Sequence, residues 1–234
     1  MKTAVVIGVD SDQGLGAQLC KRFAANGLRI VVAGTSKSAI ESVALEVLSS
    51  GGKALAFVAD PTNEADIIAL FNVAGPAVDL AIYNAGNRVP RIVSAIYSEA
   101  EQFEQVWRGG CFGGYLFGRE AIRRMRPNER GTLLFAGASA SLSGLAGYAP
   151  FGSAKGALRV LAQALAKEYA GDGIHVGHVI VDGGTPDDVH PAGNVVRGDD
   201  TISINVLVDA FAHLYNQPRW AWSFELDVRA SKEN

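Results

Sequence analysis

Tyr148 and Lys155 stand seven residues apart in the run YAPFGSAK. A phenol beside an ammonium makes a proton donor, because the positive charge favours the phenolate and lowers the phenol's pKa. On a helix such a pair meets at a spacing of four, and four residues before Lys155 stands Phe151, which has no proton to give. Proton chemistry here therefore rests on Tyr148 and Lys155. Ser139, in the upstream stretch FAGASAS, could hydrogen-bond a substrate oxygen if the loop shifts by one residue. Each residue also has a plain structural reading. Lys155 could be a solvated helix lysine, Tyr148 a packing plug in the loop Gly144 to Pro150, and Ser139 a partner for local backbone groups.

A second cluster lies near the start. The apolar run Ala4 to Val9 leads into Gly8-Val9-Asp10-Ser11-Asp12-Gln13-Gly14-Leu15-Gly16 and then into a helical pattern. Such glycines allow a tight turn and close backbone approach to a pyrophosphate, which the helix N-terminus receives with free N–H groups. Asp10 and Asp12 count against an anion unless they point away or cap the turn. The next apolar run ends in Thr35-Ser36-Lys37, with no acidic residue to accept adenosine ribose hydroxyls. These three suit a 2′-phosphate, so the expected cofactor is NADP, with NAD possible. Ser36 also suits the cap of the following helix.

The elements that must hold these residues alternate. Short apolar runs at Ala4 to Val9, Leu28 to Ala33, Ala54 to Ala59, Val78 to Tyr83, Thr132 to Phe135 and Ile174 to Val181 predict parallel strands buried on both faces. Helical patterns fall between them at Gly16 to Asn26, Lys37 to Ser50, Glu64 to Ala74, Glu99 to Met125 and Phe151 to Ala170. This alternation predicts right-handed βαβ units in a doubly wound α/β sheet. Thr201 to Tyr215 reads as a further helix. RWAWSFELDVR reads as a last, half-covered strand with Trp220, Trp222, Phe224, Leu226 and Val228 on one face. The stretch from Gly183 to Asp200 has no periodicity and reads as a long loop.

Composition sets bounds. The 234 residues carry a net charge of −3, which gives no reason to expect a nucleic-acid partner. Two cysteines, Cys20 and Cys111, make no disulfide framework and suit a reducing cytoplasm. The apolar run within the start MKTAVVIGVD is too short for a signal peptide or membrane span. We expect a single domain over residues 1–234.

Four motifs in order resemble the short-chain dehydrogenase/reductase family: Gly14-Leu15-Gly16, Asp60-Pro61-Thr62, Asn84-Ala85-Gly86 and Lys155. The resemblance covers residues 3 to 186. It implies a single-domain Rossmann fold with a seven-stranded parallel sheet, a small-molecule substrate, and a homodimer or homotetramer built on the two long helices. It implies that Asp60 sits at the adenine and Asn84-Ala85-Gly86 along the middle of the cofactor. Lys155 would hold the ribose, and Gly184 with Thr185 would take the place of the residues that bind the nicotinamide amide.

The departures gather at the chemistry. The family's catalytic Asn, Ser and Tyr fall on Cys111, Ala138 and Phe151. Enoyl-thioester reductases of the family place a tyrosine seven residues before the lysine and lengthen the first glycine turn. Tyr148 to Lys155 and Gly8 to Gly14 match both offsets. A phenol so placed stabilises an enolate oxygen. That branch's usual Ser falls here on Gly14.

Other residues read more plainly. Cys111 is expected to be buried and inert. His175 and His178 are an odd step apart on a strand, face opposite ways and make no metal site. Arg119, Arg123 and Arg126 share a helix face that is either solvated or a dock for an acidic carrier. Arg88, Arg91 and His190 are candidate substrate contacts. Two functions follow: an NADP-preferring oxidoreductase acting on a carbonyl or enoyl substrate, or a ligand-binding protein or non-redox enzyme on the same scaffold.

Overall fold

The structure, a computed structural model, describes residues 2–86, 93–183 and 201–230. Seven strands form one parallel sheet: β1 (Thr3–Ile7), β2 (Arg29–Gly34), β3 (Lys53–Val58), β4 (Val78–Tyr83), β5 (Gly131–Ala136), β6 (Ile174–Asp182) and β7 (Glu225–Arg229). Their spatial order is β3-β2-β1-β4-β5-β6-β7. The order reverses between β1 and β4, and at such a switch point the carboxyl ends of the strands open a crevice.

Every residue of β1 is buried, as a central strand covered on both faces must be. Val5 and Ile7 enter one core with α3 (Glu64–Ala74), α5 (Gly113–Met125) and α6 (Ala149–Tyr169). Ala4 and Val6 enter the other with α1 (Leu15–Ala25), α2 (Lys37–Ser49) and α7 (Ile204–Asn216). The period-two side-chain alternation of a strand divides the apolar run between the two layers.

Several expectations shift on the fold. β3 is an edge strand, so Leu55 and Val58 remain exposed although the run reads as apolar throughout. The long helix Glu99 to Met125 is α4 (Ala100–Trp107), a π-helical turn at Arg108–Phe112, then α5. The helix expected at Phe151 begins two residues earlier, so Tyr148 is its N-cap. The one expected at Thr201 begins at Ile204.

The last strand is shorter than its alternation suggests. Only Glu225–Arg229 pairs with β6, and only Leu226 and Val228 join the α1/α7 core. Trp220 is 88% exposed, while Trp222 stacks on His175 at 5.0 Å and 3°. Just before β7 the His178 N–H donates to Phe224 O at 2.8 Å, and further back the chain is held by side-chain bonds, with the Ser223 N–H donating to Gln217 Oε1 at 2.6 Å. Among the described residues no helix is long and apolar enough to cross a membrane.

Candidate cofactor and active site

The crevice is built from the ends of β1, β2 and β4. Gly8 leaves β1 with φ of 92°, a left-handed conformation that favours glycine. A Cβ there would lie 2.5 Å from the backbone nitrogen of Ala85, so the turn and the Asn84-Ala85 strand end are in direct contact. Asn84 Nδ2 donates to the Gly8 carbonyl at 2.9 Å, and the Asn84 N–H donates to the Ile7 carbonyl at 2.9 Å. The N–H groups of Gly8 and Val9 both donate to Ala33 O at 3.1 Å. The three predicted motifs thus meet at one place.

Gly14 is the N-cap of α1 and contributes no side-chain cap. The first turn contains no acidic residue. The end of α1 therefore presents its partial positive charge and its orphan N–H groups to the crevice. Ser11 Oγ accepts from the Gly14 N–H at 2.8 Å and closes the turn. Asp10 and Asp12 are exposed, and Lys21 Nζ donates to the Asp12 carbonyl at 3.1 Å. The residues present fit a pyrophosphate group: a close-packed glycine turn with an uncapped helix start behind it.

At the adenosine end, Ser36 caps α2 as expected, accepting from the Ala39 N–H at 3.4 Å. Thr35 and Lys37 are exposed beside it, and Lys37 Nζ lies 3.8 Å from Glu41. Asp60 Oδ1 accepts from the Thr62 N–H at 2.7 Å and from Thr62 Oγ1 at 2.8 Å. The Asp60 N–H donates to Asp66 Oδ2 at 3.0 Å. Asp60 is therefore fixed in an Asx-type turn at the end of β3.

Lys155 and Phe151 share the inner face of α6 and are both buried. Lys155 is 0% exposed, its Nζ donates to Ala136 O at 3.2 Å, and it lies 5.7 Å from the centre of the Phe151 ring. Burial pulls its pKa down to about 7, since the interior disfavours the ammonium. The solvated reading of this lysine does not hold.

Tyr148 lies at the N-cap of α6. With Ser141, Leu142, Leu145, Gly152 and Ser153 it lines an open pocket of about 250 Å³. Lys155 and Ser139 do not line that pocket. Ser139 opens the 3₁₀ turn Ser139–Ser141 that follows Ala138. Its neighbour Ser141 has a buried Oγ with no hydrogen-bond partner among the described residues. Gly184, Thr185, Arg88, Arg91 and His190 lie outside the described residues.

Cys111 sits in the π-helical turn between α4 and α5, and burial pushes its thiol pKa up. It stays a thiol at neutral pH and is no nucleophile. Tyr83 donates its hydroxyl to Gly109 O at 2.6 Å, tying this wide turn to the end of β4. π-turns inside helices often mark functional sites. Arg119, Arg123 and Arg126 make no free basic face: they pair with Glu64 and Glu120, with Glu120, and with Asp172 respectively.

A sequence model of the short chain dehydrogenase family matches residues 2–186. The chain belongs to the short-chain dehydrogenase family. An uncharacterised oxidoreductase of Mycobacterium bovis is 32% identical over 178 residues, 75% of this chain and 70% of its own. An Arabidopsis thaliana protein named NADPH-dependent aldehyde reductase-like is 26% identical over 187 residues, 74% of this chain and 68% of its own. The match takes in only 41% of a Dictyostelium discoideum peroxisomal multifunctional enzyme and 27% of a Bacillus subtilis oxidoreductase. Among solved structures, a short-chain dehydrogenase from Rhodopseudomonas palustris superposes with a TM-score of 0.82 at 32% identity, covering 97% of this chain and 98% of that one. A metagenomic short-chain oxidoreductase in complex with NADP has a TM-score of 0.83 at 21% identity, covering 99% and 98% of the two chains, and shares the fold.

Within this short-chain dehydrogenase one cluster escapes sequence reasoning. His178 Nδ1 lies 3.0 Å from Glu225 Oε2, and Arg159 grips the same carboxylate through Nε–Oε2 at 2.7 Å and Nη2–Oε1 at 2.8 Å. Burial lowers the His178 pKa to about 4, outweighing the Glu225 charge, so the ring is neutral at pH 7. The sequence signal was faint: two histidines in a strand, neither with a visible partner. The partner stands 47 residues later and arrives only because His178 and Glu225 are paired across β6 and β7.

Proposed function

We propose that the protein is an NADP-preferring oxidoreductase acting on a carbonyl or enoyl substrate, with Tyr148 as proton donor and Lys155 at the cofactor ribose. The observation that carries this reading is the crevice itself. Gly8 and Asn84 lock two strand ends beneath the uncapped start of α1, and a buried lysine lies in the same carboxyl-end layer. Gly8, Gly14, Leu15 and Gly16 would hold the pyrophosphate. Thr35, Ser36 and Lys37 would hold the 2′-phosphate. Asp60 would meet the adenine, and Asn84, Ala85 and Gly86 the middle of the cofactor. Gly184 and Thr185 are assigned to the nicotinamide amide by family resemblance alone. The preference for NADP rests on the exposed Thr35 and Lys37, and the NADPH in the Arabidopsis relative's name agrees with it.

When bound, the nicotinamide supplies a hydride; the chain supplies everything else. Lys155, within reach of both charge states near neutrality, holds a positive charge or releases a proton at its Nζ. Tyr148, at the pocket beside α6, gives a proton to, or stabilises charge on, a substrate oxygen. Ser139, on the turn before the pocket, is the remaining hydroxyl for that oxygen. Phe103, Trp107, Tyr115 and Val160 leave partly exposed apolar surface on α4, α5 and α6, which supports a homodimer or homotetramer through those helices. Two buried free thiols suit a cytoplasmic setting.

The test is titration with NADPH and NADH followed by nicotinamide fluorescence, then assay of enoyl-thioesters beside ketones. NADPH binding and loss of enoyl reduction in Tyr148→Phe are expected. No binding at millimolar cofactor removes the reading. One observation favours a scaffold without redox turnover: the ring over Lys155 is Phe151, which cannot pass a proton.

A further inference from the structure

The turn between β5 and α6 leaves one hydroxyl unused. Ser141 closes the 3₁₀ turn Ser139–Ser141, its N–H donating to the Ala138 carbonyl at 2.9 Å. Its Oγ is buried and has no hydrogen-bond partner among the described residues. A buried hydroxyl ordinarily finds a partner, so this one calls for an explanation. Of the turn's two serines, Ser141 is the one that lines the pocket beside Tyr148. A serine turns between staggered wells about its Cα–Cβ bond, and here that turn breaks no hydrogen bond of the hydroxyl.

The rest of the wall limits the ligand. Leu142, Leu145 and Tyr148 supply apolar surface, and the two leucines are 42% and 55% exposed. No Asp, Glu, Lys, Arg or His stands in the wall among the described residues, and Lys155 does not line it. A carboxylate or phosphate entering here would lose water without meeting a countercharge. The start of α6 replaces one only in part. Tyr148 makes no side-chain cap there, but Pro150 in the first turn has no N–H, and the Gly152 N–H already donates to the Tyr148 carbonyl at 2.8 Å. The volume, about 250 Å³, is below the range of pockets that hold drug-sized ligands. What enters is compact, or is the end of a chain.

We propose that this pocket takes an uncharged carbonyl compound with a short apolar body, and that Ser141 is the hydroxyl that binds its oxygen beside Tyr148. This rests on the reading of the pocket as the substrate site, and narrows it from any carbonyl or enoyl compound to neutral, compact ones. A carbonyl oxygen accepts two hydrogen bonds, one from each hydroxyl. The leucines cover the carbon body. Ionised keto acids and sugar phosphates are rejected by the desolvation of their charge. A thioester fits with its acyl end inside and its charged carrier outside.

The experiment titrates the full 15N-labelled chain, without cofactor, with cyclohexanone and separately with cyclohexanecarboxylate, following the assigned amide resonances of Ser141, Leu145 and Gly152. It needs neither nicotinamide nor turnover, so it can fail while NADPH binds and succeed while NADPH does not. Cyclohexanone should move these resonances with a Kd of about 1–10 mM, ordinary for so small a ligand. The carboxylate, similar in shape but charged, should bind about tenfold more weakly. Ser141→Ala should weaken cyclohexanone about fivefold, the loss of one neutral hydrogen bond, and Ser141→Thr, which keeps a hydroxyl, should stay within about twofold. Ser141→Ala should melt no lower than the unsubstituted protein, because the hydroxyl it removes has no partner to lose. Leu145→Lys, at an exposed position, should reverse the order of the two probes by supplying a countercharge.

No movement of these amides with cyclohexanone at about 50 mM, well above the expected Kd, or equal binding of the two probes overturns the substrate class. Unchanged affinity in Ser141→Ala, with a lowered melting temperature, marks a structural serine and overturns its role. Should that variant fail to fold, an unchanged probe order in Leu145→Lys overturns the proposal.

Discussion

The ammonium of Lys155 lies 5.7 Å from the centre of the Phe151 ring, one helical turn away. The ring occupies the place from which a phenol would reach both the lysine and a substrate oxygen. Its face gives the cation a weak electrostatic contact but no proton. The geometry of a donor pair is kept while the donor atom is missing.

Restoring that atom is the most direct prediction. Phe151→Tyr should raise ketone reduction at least tenfold, within the range that a placed general acid supplies. Phe151 is buried, so the added hydroxyl should cost about 1 kcal/mol of stability unless it finds a partner. Steady-state rates with NADPH and a panel of ketones, beside a thermal melt, check both. A folded variant with no gain means that the pocket does not present a carbonyl at this position.

Lys155 should make stability depend on pH in a known direction. Its pKa is lowered on folding from 10.5 to about 7, so between these values the unfolded chain binds more protons. Stability conferred by this site therefore rises as pH goes from about 7 to about 10, and is flat below. At pH 6 the buried ammonium should cost roughly 3–5 kcal/mol relative to an apolar side chain of similar volume. Urea unfolding of the unsubstituted protein and Lys155→Met at pH 6, 8 and 9.5 measures it. The variant should be more stable at pH 6, and the difference should shrink at pH 9.5.

Gly8→Ala should strike fold and cofactor site together. The new Cβ meets the Asn84-Ala85 backbone at a φ of 92°. Backbone cannot move aside as a flexible side chain would, so a loss of about 2–4 kcal/mol is expected. Chemical denaturation reads the loss. NADPH affinity should fall more than stability alone explains, because the strand ends must separate.

Cofactor choice should turn on the end of β2. Lys37 is exposed, and its ion pair to Glu41 is 3.8 Å long, so a phosphate can take the ammonium at little cost. Lys37→Glu should weaken NADPH about tenfold, by replacing attraction with repulsion, and leave NADH nearly unchanged. Parallel fluorescence titrations decide it. Equal losses for both cofactors would place Lys37 outside the 2′-phosphate site.

Some of this protein is fixed by local sequence. Buried apolar runs alternating with helical periods specify a parallel sheet with covered faces, whatever the packing details. Gly8, Gly14 and Asn84 are legible because a glycine turn after a strand has few purposes, and Ser36 because a cap acts on backbone three residues away. Phe151 and Lys155 are likewise legible as a pair, since i and i+4 on a helix must meet.

What only tertiary structure decided involves separations that no local rule spans. Whether Lys155 is solvated or buried depends on which face of α6 meets β5, and that burial, not its sequence neighbours, brings its pKa near neutrality. The three arginines of α5 and its end look like a basic face until Glu64 and Asp172 arrive from other elements. RWAWSFELDVR alternates like a full strand, yet the edge of β6 accepts only its last five residues. His178 gains its carboxylate because β7 lies parallel against β6, a register set by the whole sheet. Pairing across strands is a property of topology, and the chain alone does not state which histidine will meet Glu225.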